Sequence, residues 1–391
     1  MTAIQGLRGT GQFSTDFRPT NYRELFTLLE PNGSAPLQAL LSMTATETTD
    51  DPKYNHYRDE LPDRKMVVNG AVASTSTTAV AVVTNNDDTN FVVPGAIIVN
   101  VDTGEVMRTT ARSGDNITVE RNIGGTTHQI ADAANLIIGG FADIEGGSAP
   151  TAISFDPTMD FNFTQIFKTA VQVTGTLQNT YLRTGDKEQE QLTKALKMHM
   201  SDIERAMFFG KRAEVNGSTA SPLRFTGGLR NSITGVTDGA SYGASSNVIT
   251  EKEFDRLLIE NIFAYGGNEK VAFCGARVIS NLMEIGKNRW QPTQIDNAYG
   301  VSLSRYTTYA GDLLVYMHPM FRQIPTMDKE MIILDMNEIK YRCMQGRDTQ
   351  LIRDIQAPDF DGVKHMYMTD CGLEMLQSKV HHRIKGWSAV T

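Results

Sequence analysis

The sequence predicts an α+β fold organised by one long helix, and three observations carry that prediction. The stretch Asp186–Arg212, DKEQEQLTKALKMHMSDIERAMFFGKR, has no helix breaker before Gly210 and carries apolar residues at helical spacing. On either side lie short runs of Val, Ile and Thr punctuated by Gly, Asn and Asp, which is how strands read. Residues 250–286 then give a helix, a strand and a helix, the pattern of helices laid over a sheet. With 391 residues, 40% apolar and 21% charged, the chain is long enough for a sizeable core in two or three domains.

Residues 1–45 read as an arm. Its one helical candidate is Asn21–Leu29, and Pro31, Gly33 and Pro36 are expected to stop it. An arm with few apolar residues of its own is either disordered or ordered by lying on something else; packed on an adjacent subunit, it would have Phe13, Phe17, Tyr22 and Phe26 as its anchors. Residues 46–65 and 141–180 read as the two arms of one extended excursion. Between them, 66–140 is expected to be an inserted β-domain, a small barrel or sandwich. Its strands are placed at Ala79–Thr84, Ala96–Val101, Glu105–Thr110, Asn116–Arg121 and Asn135–Gly140. The return arm alternates Phe161 and Phe163, then Ile166, Val171 and Val173, with polar neighbours.

In the long helix, Leu192, Ala195, Leu196, His199, Met200, Ile203, Ala206 and Met207 form one stripe. Glu190, Lys194, Lys197, Ser201, Glu204 and Arg205 lie opposite, with Asp186 as N-cap and Gln189 as its reciprocal partner. At 1.5 Å per residue the helix is a rod of roughly 40 Å. The segment 181–247 is completed by a Gly-, Ser- and Asn-rich loop, and 248–325 is the α/β unit. In that unit, Thr250 and Glu253 form a capping box ahead of Phe254, Leu257, Leu258 and Ile262. A second helix, Ala276–Ile285, is expected to turn Val278, Ile279, Leu282 and Met283 inward. The irregular loop Asn288–Gly300 exposes Trp290, Pro292, Asn297 and Tyr299, as a monomer usually avoids. Residues 326–391 return to β, with turns at QGRD, PDFDG and TDCG, and need the long helix to cover them.

Net charge is −8 and the pI about 5.5, the opposite of the balance a dedicated duplex-DNA binder requires. Three cysteines, Cys274, Cys343 and Cys371, far apart and odd in number, suit a reducing cytoplasm. No run approaches the ~18 apolar residues of a membrane span, so a soluble chain without a membrane is expected. Catalytic readings fail individually. GLRGTG lacks a phosphate loop's strand–turn–helix setting, and no Ser or Cys sits in a GxSxG elbow. Adjacent His381 and His382 point to opposite strand faces and His199 reads as a core histidine, so neither metal nor cofactor is expected. Asn85–Asp88 reads as a hairpin turn rather than a calcium loop, and Asp354, Asp359 and Asp361 as a solvated one.

Arm, β excursion, long helix, α/β unit and β return together resemble the major capsid protein of tailed bacteriophages, a fold shared with the herpesvirus capsid floor and encapsulins. The motifs carrying the resemblance are TGDKEQEQLTKALKMHMSDIERAMFFGK, FTGGLRNSI and YMTDCGLEMLQSKVHHRIKGW. The resemblance implies an N-terminal arm, an extended loop, a spine helix, a β-rich peripheral domain and an α/β axial domain, in the subgroup with a β-domain in the extended loop. It implies copies joined as pentamers and hexamers of an icosahedral shell around double-stranded DNA. A separate scaffolding protein or none, a portal and decoration proteins would be the partners. The virion would be its location, with assembly in the host bacterial cytoplasm. Interface residues would be the four arm anchors, Phe161, Phe163, Trp290, Pro292, Asn297 and Tyr299. The spine row Glu190, Lys194, Lys197, Glu204 and Arg205 would face the lumen near neutrality. Two rival readings are a carbohydrate-binding adhesin module and a hydrolase; shells in negative stain separate the first reading from both.

Overall fold

The computed structural model describes residues 35–42, 46–61, 63–73, 80–83, 87–125, 127–147, 149–180, 186–243, 246–286 and 304–390. They form two compact units, one within 1–56 and 160–391, the other within 57–159. The first begins with α1 (Pro36–Leu41), whose Leu37, Leu40 and Leu41 are buried in the unit's own core. Pro36 therefore starts a helix where a stop was expected, because a first-turn residue has no need of an N–H. β1 (Glu47–Thr49) and β2 (Lys53–Arg58) follow.

The second unit is one antiparallel sheet of β3 (Lys65–Val67), β4 (Val80–Val83), β5 (Ala96–Asn100), β6 (Val106–Ser113), β7 (Asn116–Glu120) and β8 (Asn135–Phe141), in the order β3-β8-β5-β6-β7-β4. All five expected strands are present, and β3 is a sixth. Alternation puts Met66, Ile98, Met107, Ile117, Val119 and Leu136 on one buried face. Inside sits an ion pair: Arg121 donates to both oxygens of Glu105 at 2.7 Å, with both side chains fully buried. Its guanidinium also donates to the carbonyls of Ala73 and His128, and the His128 N–H donates to Glu105. Burial alone would raise the Glu105 carboxyl, but the Arg121 fork holds it below the usual carboxylate range.

The first unit resumes with β9 (Thr158–Phe163), which pairs with β2, and β10 (Gln165–Thr174). In β10 the buried residues are Phe167, Val171 and Val173, and Ile166 is exposed. The alternation thus continues in the odd-numbered phase of Phe163, correcting the inward placement of Ile166. After α2 (Gly175–Gln178) comes the spine, α3 (Lys187–Phe209), with Asp186 accepting from the Glu188 N–H at 2.9 Å. The segment expected as loop carries β11 (Ala213–Val215), β12 (Leu223–Phe225), α4 (Leu229–Ser232), β13 (Gly235–Asp238) and α5 (Gly239–Tyr242). Gly228 donates to the Gly210 carbonyl at 2.9 Å, and a Cβ there would meet the Gly210 nitrogen at 2.7 Å. The GG of FTGGLRNSI therefore lets the backbone close on the spine's end.

α6 (Glu251–Leu257) begins with the expected capping box and runs on as a π turn, Leu258–Ile262. β14 (Glu269–Cys274) and α7 (Ala276–Gly286) follow; in α7 Val278 and Leu282 are buried, whereas Met283 is exposed. Then come β15 (Ser304–Thr307), β16 (Asp312–Met317), α8 (Pro319–Gln323), β17 (Met331–Leu334), β18 (Ile339–Met344), β19 (Gln350–Ile352), β20 (Gly362–Met375) and β21 (His382–Lys385). Two sheets result. One runs β1-β18-β20-β10, with β19 also on β20, and lies under the spine; the other runs β13-β21-β17-β14-β16-β15. The expected turn at TDCG is absent, because Thr369–Gly372 lies within the fourteen-residue β20. Gly372 is there for room: a Cβ would meet the Tyr54 hydroxyl and come within 2.7 Å of the Phe163 carbonyl.

Candidate functional site

Of the expected interface residues, Phe13, Phe17, Tyr22, Phe26, Trp290, Pro292, Asn297 and Tyr299 lie outside the described residues, as do Asn85 and Asn86. Phe161 and Phe163 fall together in β9, ring centroids 5.6 Å apart and edge to face. Phe163 is buried within its own unit and Phe161 is half-buried. Two cations lie over the Phe161 ring, the Lys53 ammonium at 4.2 Å and the Arg212 guanidinium at 4.1 Å. Arg212 also donates to Asp160 at 2.7 Å and to the Phe161 carbonyl. Burial pushes the Asp160 carboxyl up, but Arg212 outweighs it and holds the group low. Beside this platform is a cavity of about 40 Å³ lined by His56, Asp160, Asn162, Arg212, Ser232 and Ser378. The Nδ1 of His56 is 3.6 Å from Glu374, whose carboxylate is held by Arg342 at 2.6 Å.

A second junction joins three separated segments at Glu204. This spine residue, expected on the solvent face, is 1% exposed. It accepts from the Leu37 N–H at 2.8 Å, the Gln38 N–H at 3.1 Å and His318 Nε2 at 3.0 Å. His318 Nδ1 accepts from the Met320 N–H, so the proton sits on Nε2 and the neutral ring suffices as donor. Phe208, one turn after Glu204, is fully buried, so the inward face is wider than the eight-residue stripe. That i, i+4 apolar neighbour was the available signal for Glu204; nothing in sequence pointed to α1 as its partner. The outward charges pair within the helix, Glu190 with Lys187 and Lys194, and Asp202 with Arg205.

Several other buried titratable groups hydrogen-bond within the packed interior. His199 links Thr169 (3.0 Å) to Thr369 (2.8 Å). The three protons of the Lys270 ammonium go to the carbonyls of Ile262, Tyr265 and Val380 at 2.6–2.8 Å, and burial lowers its pKa to about 8. His381 accepts from the Asp335 N–H and His382 pairs with the Thr237 hydroxyl; burial lowers both to about 4. The three cysteines are buried thiols, and burial raises Cys371 to about 12. Among the described residues there is no cluster of metal ligands and no helix long and apolar enough to cross a membrane. The site chemistry is that of packing and pairing.

The sequence model of a family described as SU10 major capsid protein matches residues 9–388. A protein named major capsid protein, from Pseudomonas phage PaMx41, is 28% identical over 333 residues, covering 82% of this chain and 78% of its own. Among solved structures, the capsid of an empty GTA particle is similar at TM-score 0.46 and 8% identity, covering 98% of this chain and 99% of that one. The capsid of Myoviridae phage XM1 is similar at TM-score 0.44 and 9% identity, over 98% and 100%.

Proposed function

The chain belongs to the SU10 major capsid protein family, and on that premise we propose how it builds a shell. It is the major capsid protein of a tailed phage, and copies of it assemble into the head. The finer reading is that copies join as pentamers and hexamers of an icosahedral shell around double-stranded DNA. Its role is structural, with no catalysis. Scaffolding protein, portal and decoration proteins are external partners, and assembly takes place in the host cytoplasm before the chain resides in the virion.

The observation that carries the reading is the family match along nearly the whole chain. Two features of the structure support it. The second unit leaves Tyr57, Leu61, Ile144 and Met159 between 57% and 85% exposed, which suits side chains that a neighbouring copy covers. The spine's outward charges pair along the helix, which suits a wall that neither grips nor strongly repels DNA. With Asp202 in place of the buried Glu204, that row still holds two acids and three bases. Negative-stain microscopy of the expressed full chain is the test: closed shells are expected, and monodisperse single subunits under all assembly conditions would refute it.

A further inference from the structure

β18 and β20 run antiparallel side by side, and their register sets Cys343 directly opposite Cys371. One contact gives the bonding phase of the ladder. The Leu376 N–H donates to the Glu338 carbonyl at 2.9 Å, one step beyond the pair Ile339 and Met375. Hydrogen-bonded pairs alternate with non-bonded ones, so Glu338–Leu376, Lys340–Glu374 and Arg342–Gly372 are bonded pairs and Cys343–Cys371 is not. A non-bonded pair brings its Cα atoms to about 4.5 Å, with the side chains at their closest. A disulfide spans Cα separations of roughly 4.4–6.8 Å.

Directly opposite residues of a ladder point to one face, and both cysteines lie in one apolar cluster with Phe167, Ile203, Met207 and Leu373. Cys371 is fully buried and Cys343 is 4% exposed. The third cysteine, Cys274, sits on β14 in the other sheet and in a separate cluster. Among the described residues no third ligand completes a metal cluster at the pair. Burial pushes both thiols up, Cys371 to about 12, so they react slowly at neutral pH and faster as pH rises.

We propose that Cys343 and Cys371 are an oxidisable pair that closes to an intrachain disulfide when a peroxide reaches the folded chain. The assignment concerns the single subunit and holds whether or not copies assemble. Cys343, the less enclosed thiol, reacts first. Its thiolate sulfur attacks one peroxide oxygen, the O–O bond breaks, and the departing hydroxide takes up the thiol's proton as water. The Cys371 sulfur then attacks the sulfur of that sulfenic acid; the S–S bond forms, the S–O bond breaks, and a second water leaves. Two thiols and one hydrogen peroxide give one disulfide and two waters, with two electrons passing from sulfur to oxygen. The bond ties β18 to β20 beneath the spine and closes the loop 343–371 in the unfolded chain, which favours the fold. A reducing compartment keeps the pair open.

Mass-spectrometric mapping of the full-length chain after hydrogen peroxide, with remaining thiols blocked before digestion, tests this. A linked Cys343–Cys371 peptide is expected, and the chain's three free thiols should fall to one, Cys274. The link should form about tenfold faster at pH 8 than at pH 7, as the thiolate fraction rises. Cys371→Ser should leave Cys343 as a sulfenic acid that dimedone captures on unfolding, and Cys343→Ser should give no link. Oxidation should raise the wild-type urea midpoint, dithiothreitol should reverse the rise, and neither variant should show it. Folded wild-type chain that keeps three free thiols, while the same peroxide oxidises it in urea, overturns the proposal. A link through Cys274, or sulfinic acid in place of the link, overturns it too.

Discussion

Replacing Glu204 by glutamine should loosen the point where three segments of the chain meet. The carboxylate accepts from Leu37, Gln38 and His318 at 2.8, 3.1 and 3.0 Å, at 1% exposure. An amide keeps the shape but has one acceptor oxygen, and its NH₂ must face at least one of those donors. A buried donor left facing a donor loses about 1–3 kcal/mol, and a bond to a charged acceptor is worth about 1.5–3 kcal/mol. The expected destabilisation is therefore about 2–4 kcal/mol, overlapping the lower part of the roughly 3–5 kcal/mol cost of breaking a buried charged pair. The assay is urea unfolding of unassembled subunits, with the midpoint lowered and the slope unchanged. Exchange should locate the damage, because the Leu37 and Gln38 amides lose protection before the spine does. A loss below about 0.5 kcal/mol, with those amides still protected, would refute the reasoning.

Arg121→Met should leave Glu105 buried and unpaired and cost the 57–159 unit about 3–5 kcal/mol; proteolysis should then nick that unit first, and equal resistance to wild type would contradict this. Below pH 6.5 the unfolded chain protonates His381 and His382, whereas the folded chain keeps both neutral down to about 4. Their folded values lie below the unfolded one, so stability is lost as pH falls from 6.5 towards 4, by up to about 3 kcal/mol per histidine, and the loss levels off below. Melting temperatures from pH 7.5 to 4.5 should show that slope, and His382→Gln should reduce it. Trp290→Ala should slow capsomer formation by light scattering if the Asn288–Gly300 loop meets its symmetry mates; unchanged kinetics would count against that role.

Most of the fold's elements could be read from the chain because they are decided locally. The capping box at Thr250, the rod at 187–209 and the alternation of Ile117 and Val119 follow from spacing that neighbours in sequence enforce. What escaped was decided by partners far along the chain. Thr369-Asp370-Cys371-Gly372 has turn composition, but Gly372 answers to Tyr54 and Phe163, which sit against it. Pro36 looked like a stop because the acceptor that makes α1 worthwhile, Glu204, lies 167 residues away from Leu37. Ile166 and Phe167 are equally apolar, and only the register with β20 decides which of them faces the spine.

The same distinction separates the two kinds of exposed apolar residue. Met198 on the spine is 62% exposed and Met283 in α7 is 58% exposed, each a single side chain of the sort every surface carries. Tyr57, Leu61, Ile144, Ile153, Phe155 and Met159 instead crowd the two ends of one unit's sequence. Phe155 has one ring contact inside the chain, edge to face with Phe91 at 5.4 Å between centroids, and all six remain at least 43% exposed. A partner that covered them would recover about 25 cal/mol per Å² of apolar surface in every copy of the repeated contact. For a chain of this family the abundant partner is another copy of itself. On the proposed reading, the residues least constrained in the folded subunit are the ones a shell would constrain most.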